Sequence, residues 1–276
     1  PISQEKLPQN LLGKRILVTR EQGLGDELFF LRFVTPLIQR GARIHYFSSE
    51  KLAPLLKSTQ QSFEVIEHEP NDFKAYDFVV SVADLPLVSG ETSPINPLKL
   101  SLDASQQQVF KARFFGNNPP VKRIGISWRA GLTRDNAIAT TLKKSIPLEQ
   151  LVLMLKDFDG EILVLQRQPQ AEEIRFLKEN LQTPVHDFSH LNDDLLAMTY
   201  MLQELDDYIA VSNTNMHIRG CLGQGAGVLI PFPPEWRWGI SSNKTDWYSD
   251  FELFRQDSVS GWKPVIPLLQ QRIAGI

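Results

Sequence analysis

Four loops carry side chains able to bind or activate a polar substrate. The first, Glu21-Gln-Gly-Leu-Gly-Asp26, follows a short β-rich apolar run, Arg15-Ile-Leu-Val-Thr. Gly23 and Gly25 allow a tight strand-to-helix turn. Asp26 then stands where a carboxylate either caps the next helix or acts as general base toward an acceptor hydroxyl. A dinucleotide fingerprint would need a third glycine at position 28, where Leu28 stands, although Glu50 lies at a suitable distance beyond the second strand. The second loop brings Arg129, Arg134, Lys143 and Lys144 together just before a helix N-terminus. Cations beside orphan backbone N–H groups suit a diphosphate; the plainer reading is a solvated charged loop. The third, Gln166 to Gln170, closes another strand. The fourth, Ser212-Asn213-Thr214-Asn-Met-His217, offers hydroxyls and amides that either cap a helix or bond phosphate oxygens. His217, about one turn into that helix, faces either the core or the ligand.

These loops share one position in the pattern of elements. Arg15–Thr19, Arg43–Phe47, Phe63–Ile66 and Phe78–Val82 read as strands, with helical stretches between them. Leu85 to Pro97 reads as a long loop, and Gln106 to Phe115 as a helix. Gly116-Asn-Asn-Pro-Pro then breaks regular structure. The pattern restarts with the strand Arg123–Trp128. A helix follows from Ser145, read as its N-cap, and then come the strand Glu161–Gln166 and the helix Ala171–Asn180. Beyond those lie the helix Leu195–Leu205, the strand Tyr208–Ser212, a helix from Asn213 to Gly223 and the strand Gly227–Pro231. Strand–helix alternation implies mostly parallel sheets, so the chain reads as two α/β domains, 1–117 and 118–276. In such sheets ligands bind outside the carboxyl ends of the strands, which is where all four loops fall. The segments Phe232–Gly239 and Asp246–Tyr248 concentrate aromatics and arginines that either stack on a base or sugar or pack as a lid on the core.

Composition excludes several classes. Lys and Arg total 29 against 32 acidic residues in 276, so the chain is not a broadly basic nucleic-acid binder. The single cysteine, Cys221, rules out an internal disulfide framework and a cysteine-based zinc site, and a reducing, cytoplasmic compartment is expected. No apolar run approaches the roughly 18–20 residues that span a bilayer. The chain begins at Pro1 without an initiator Met or a signal-peptide core, and reads as a piece of something longer.

In this order the segments resemble a known family. Glu21-Gln-Gly-Leu-Gly-Asp through Phe33 resembles the "QGLGD…RY/F" opening of bacterial glycosyltransferase-like domains, often attached to tetratricopeptide repeats. These are similar to the ADP-heptose lipopolysaccharide heptosyltransferases of glycosyltransferase family 9. Ile124-Gly-Ile-Ser-Trp-Arg-Ala-Gly followed by Lys144-Ser-Ile-Pro-Leu resembles the start of that family's second domain. Val164-Leu-Gln166 resembles its "SLQ" strand end, and Tyr208 to Gly223 its "VISVDTxxxHLAGALG" signature. Trp236-Arg-Trp with Trp247 to Gln256 resembles its "DWRW…WYPxxRLFRQ" tail.

The resemblance implies an α/β GT-B fold, two Rossmann-like α/β/α domains facing across a cleft, with a nucleoside-diphosphate sugar held mainly by the C-terminal one. It implies an inverting, metal-independent glycosyltransferase with no cofactor beyond its donor substrate. Asp26 would activate the acceptor. Gly25, Arg129, Lys144, Gln166, Ser212, Asn213, Thr214 and His217 would bind the donor, with Lys144 on the diphosphate, Gln166 near the nucleoside, and Asn213, Thr214 and His217 on the phosphates. Two departures stand out: Ser212-Asn213 replaces the family's Asp-Thr, and the first domain is short for a heptosyltransferase. The acceptor is left as a glycan, a lipid-linked sugar or a protein, presented with the help of upstream tetratricopeptide repeats. The competing reading is a non-catalytic nucleotide-binding or assembly module on the same fold.

Overall fold

The computed structural model describes residues 5–70, 72–116, 121–130 and 144–276. Arg134 and Lys143 of the basic loop, and 117–120 of the Asn/Pro break, lie outside them. The chain divides into two compact units, Pro1–Gln107 and Gln108–Ile276.

The first unit runs β1 (Arg15–Thr19), α1 (Leu24–Phe30), α2 (Val34–Gln39), β2 (Arg43–Phe47), α3 (Ala53–Ser58), β3 (Glu64–Ile66), β4 (Phe78–Ser81) and α4 (Leu85–Ser89). Its strands form a parallel sheet in the order β3-β2-β1-β4. Ile16, Leu17 and Val18 of β1 are fully buried because helices cover both faces of the sheet, so the strand reads as a continuous apolar run. The expected loop over Leu85–Pro97 is corrected in its first part. Pro86 lies in the first turn of α4, where its missing N–H costs nothing, and Gly90 ends the helix at φ 69°.

The second unit begins within α5 (Ala104–Phe115) and continues through β5 (Arg123–Ser127), α6 (Leu148–Leu155), β6 (Glu161–Val164), α7 (Ala171–Asn180) and β7 (Val185–Asp187). It ends with α8 (Leu195–Gln203), β8 (Asp207–Val211), α9 (Thr214–Cys221), β9 (Ala226–Ile230), β10 (Phe251–Arg255) and α10 (Val265–Ala274). The division by contacts falls inside α5. Phe110 of that helix stacks on Tyr200, and the Arg123 guanidinium lies 4.0 Å over the Phe115 ring. All strands are parallel, in the order β10-β9-β8-β5-β6-β7. β5, β8 and β9 are buried along their whole length. Ile124, Ile126, Ile209, Val211 and Leu229 from these strands meet Leu151 and Met154 of α6 in one core.

Ser145 does not cap α6. It pairs with Arg129 in an antiparallel bridge, and Pro147 is the N-cap. β7, β10 and α10 were not anticipated. α10 is tied down by Arg272, whose guanidinium bonds both Asp207 oxygens at 2.7 and 2.9 Å and Glu252 at 3.1 Å.

Candidate functional site

Counted from β5, the second sheet has the doubly wound strand order, and its connections depart in opposite directions from the neighbours β5 and β8. Such a switch point opens a crevice beyond the carboxyl ends of those two strands. Ser127, Trp128 and Arg129 end the first; Ser212, Asn213 and Thr214 follow the second. Tyr208 braces them, its hydroxyl 2.9 Å from Ser127 Oγ and 3.1 Å from Asn213 Nδ2. Burial pushes this phenol up to about 12 against the pull of its hydrogen bonds, so it stays protonated. Asn213 caps α9, its Oδ1 accepting the Met216 N–H at 2.9 Å. The first-turn N–H groups and the dipole of α9 therefore open at this edge and favour an anion.

Lys144 and Ser212 line a small recess together with Glu235 and Trp238; Ile230, Pro231 and Pro233 supply its apolar wall. Glu235 is the group at its centre. Its carboxylate accepts from Lys144 Nζ at 2.8 Å, from the Trp238 indole N–H at 3.1 Å and from the Ser212 side chain. The Arg237 Nε lies 3.9 Å away. Burial alone would raise the Glu235 carboxyl, but Lys144, Ser212 and Arg237 outweigh it and hold it below the usual carboxylate range.

His217 lies behind this cluster, only 2% exposed. Arg237 Nη1 stands 3.2 Å from its Nε2, and Tyr248 Oη 2.8 Å from its Nδ1. A guanidinium has only protons to give, so Nε2 accepts and the ring proton is assigned to Nδ1, donating to Tyr248. The ring also stacks on Trp238, centroids 6.1 Å apart and planes 14° apart. Both nitrogens are thus engaged by protein groups, and His217 orients Arg237 from the core side. Gly220 makes this arrangement possible. A Cβ there would come within 2.3 Å of the Tyr248 ring, so only glycine lets the ring close on α9. The aromatics of the tail therefore divide. Trp238, Tyr248 and Phe251 are core, whereas Trp236 is 62% exposed, edge-on to Trp247.

Two other expected donor ligands lie at the same sheet edge, with their polar atoms bonded to protein groups. Arg129 pairs with Glu173 at the start of α7 and donates from Nη2 to the Gln168 carbonyl at 2.7 Å. Gln166 is buried. Its Oε1 accepts the Trp128 and Arg129 N–H groups, each at 2.9 Å, and its amide N–H donates to the Arg167 carbonyl. Gln166 thereby locks the ends of β5 and β6 together. Glu235, Arg237 and Tyr248 were not named individually, although they lie in the segments Phe232–Gly239 and Asp246–Tyr248 singled out for their aromatics and arginines, and the loop after β9 also leaves the carboxyl edge of the sheet.

The first sheet has its own switch point, between β1 and β4. Glu21 beyond β1 accepts a hydrogen bond from Ser81 Oγ at the end of β4. Gly23 is the N-cap of α1, Gly25 lies in its first turn, and Asp26 stands half-buried in that turn, where the helix dipole favours its charge. Glu27, the next residue, is buried and accepts from the Tyr46 hydroxyl. Burial raises its carboxyl, with the Tyr46 bond and the Arg20 charge opposing. Among the described residues, no group of three or more His, Cys, Asp and Glu side chains could hold a metal ion, and no helix is long and apolar enough to cross a membrane.

No family model matches the chain. Protein FlbA of Caulobacter vibrioides is 26% identical over 281 residues, which cover 94% of this chain and 46% of FlbA. The chain thus spans about half the length of that relative. The fold matches the E. coli ADP-heptose lps heptosyltransferase II at a TM-score of 0.64 and 14% identity, over 95% of this chain and 96% of that one. It matches the family 9 glycosyl transferase of Veillonella parvula at 0.62 and 14%, over 92% and 88%. E. coli heptosyltransferase WaaC, solved with ADP, matches at 0.59 and 15%, over 95% and 99%. This chain therefore has the two-sheet α/β fold of the family 9 glycosyltransferases.

Proposed function

We propose that the chain is an inverting glycosyltransferase that takes its sugar from a nucleoside diphosphate and needs no metal ion. The observation that carries this reading is the recess at the β5/β8 switch point, where Lys144 and Ser212 meet beside the N-terminus of α9. Its chemistry suits a diphosphate, and the fold is that of proteins whose solved forms hold ADP and ADP-heptose analogues. In the proposed reaction Asp26 takes the acceptor proton, the acceptor oxygen attacks the anomeric carbon, and the bond to the diphosphate breaks with its electrons. The leaving group's charge is met by Lys144, Ser212 and the first turn of α9, which is electrostatic stabilisation without a cation cofactor. The acceptor is a glycan, a lipid-linked sugar or a protein, and tetratricopeptide repeats upstream would present it.

Titration with ADP, UDP and GDP by calorimetry tests this directly. At least one should bind, and Lys144→Ala should weaken it about 10- to 100-fold, the range of one charge-assisted hydrogen bond. Binding of none of the three ends the proposal. Ser212 in place of an aspartate favours a second reading, a nucleotide-binding module without turnover. Tight binding with neither transfer nor donor hydrolysis would support that one instead.

A further inference from the structure

The Glu235 carboxylate is surrounded as a bound anion would be. Lys144 reaches it from the chain preceding α6, Ser212 from the end of β8, and Trp238 Nε1 and Arg237 from the loop after β9. Two cations, a hydroxyl and an indole N–H from three parts of the sheet edge thus converge on one pair of oxygens. The carboxylate is largely removed from solvent and the lysine partly so, with side-chain exposure of 12% at Glu235 and 34% at Lys144. Carboxylate and phosphate oxygens make the same kind of contacts with ammonium, guanidinium and hydroxyl groups. An anion entering this recess would face a like charge on the groups it needs, and that repulsion is strong where water is scarce.

We infer that Glu235 occupies the position of a donor phosphate and competes with it, so that donor binding displaces the carboxylate and transfers Lys144, Ser212, Trp238 Nε1 and Arg237 to the diphosphate. This rests on the proposed function and extends it. It assigns Arg237 and Trp238 as further diphosphate ligands, with His217 as the positioning residue that aims Arg237. The exchange breaks no covalent bond. One anion leaves a set of donors and another takes them, and the freed carboxylate turns to solvent.

The test is calorimetric titration of Glu235→Gln and the parent chain with inorganic pyrophosphate and with ADP, UDP and GDP. The amide keeps the size and the acceptor oxygen but removes the competing charge. It should tighten pyrophosphate and the preferred nucleotide by about tenfold or more, a gain of about 1.4 kcal/mol. Glu235→Asp keeps the charge, and should stay within a few-fold of the parent. Equal or weaker binding by Glu235→Gln, with the parent binding normally, would mean that the carboxylate merely aligns Lys144, and overturns the inference while leaving the proposed function intact. Binding by neither protein removes both. Melting curves of the variants show whether a weaker affinity reflects a loosened fold.

Discussion

The two sheets pose one topological question and answer it with opposite charge. Each places a switch point between its first and fourth strands, and each follows the first strand with a polar loop. In the first unit that edge carries three carboxylates beside one cation, Arg20: Glu21 on Ser81, Asp26 in the opening turn of α1, Glu27 beneath it on Tyr46. In the second it carries donors: Lys144, Ser212, Arg237, Trp238 and the start of α9, gathered on one carboxylate. Backbone order therefore creates the opening, and the side chains at the strand ends decide which polar groups line it. In the reaction proposed above, the first edge would take a proton from one reactant and the second would steady the charge of the other's leaving group.

The largest expected effect separates those halves. Asp26→Asn should lower transfer by about 10² to 10⁴, the span of a general base, while calorimetric affinity for the nucleotide is unchanged. A variant with undiminished transfer would remove Asp26 from the chemistry and the contrast with it. Gly220→Ala sharpens the comparison from the other side. Overpacking against the Tyr248 ring should destabilise by about 1–3 kcal/mol in denaturant melts and weaken nucleotide binding through Arg237. An alanine variant as stable as the parent would show that Tyr248 shifts freely and does not hold His217.

The smallest effect concerns Glu27. Its carboxyl is raised in the fold, so ionising it costs stability, and that cost appears as pH rises through the raised value. Glu27→Gln abolishes the ionisation. Its melting temperature relative to the parent should thus be higher at pH 7 than at pH 4. A difference that is flat or reversed would mean that the Tyr46 bond, not burial, governs this site.

Much of the scaffold was legible before any coordinates. β1, β5, β8 and β9 are apolar runs bounded by turn residues, because strands covered on both faces leave no alternation to misread. β7 escaped notice because it has three residues, two of them exposed, and β10 because its Phe251-Glu-Leu-Phe-Arg looks like part of an aromatic tail. α10 did carry a visible repeat, with Val265, Leu269 and Ile273 on one face. Lys144 and Ser212 were reachable from the rule that ligands gather at the carboxyl edge. Glu235 lies in a loop at that edge too, but its pairing with Lys144, 91 positions earlier in the chain, is set by tertiary packing. Gln166 and Arg129 show the converse, residues of the right type whose polar atoms hold the backbone and α7.

One tether reaches further than its own neighbourhood. Asp207 begins β8 and is gripped by Arg272 of the last helix, while the other end of that strand hands over to Ser212. The five residues of that strand make a stiff rod of about 17 Å. A substitution that unseats Arg272 would thus be felt at the mouth of the recess, as a binding defect whose origin lies at the opposite end of the strand.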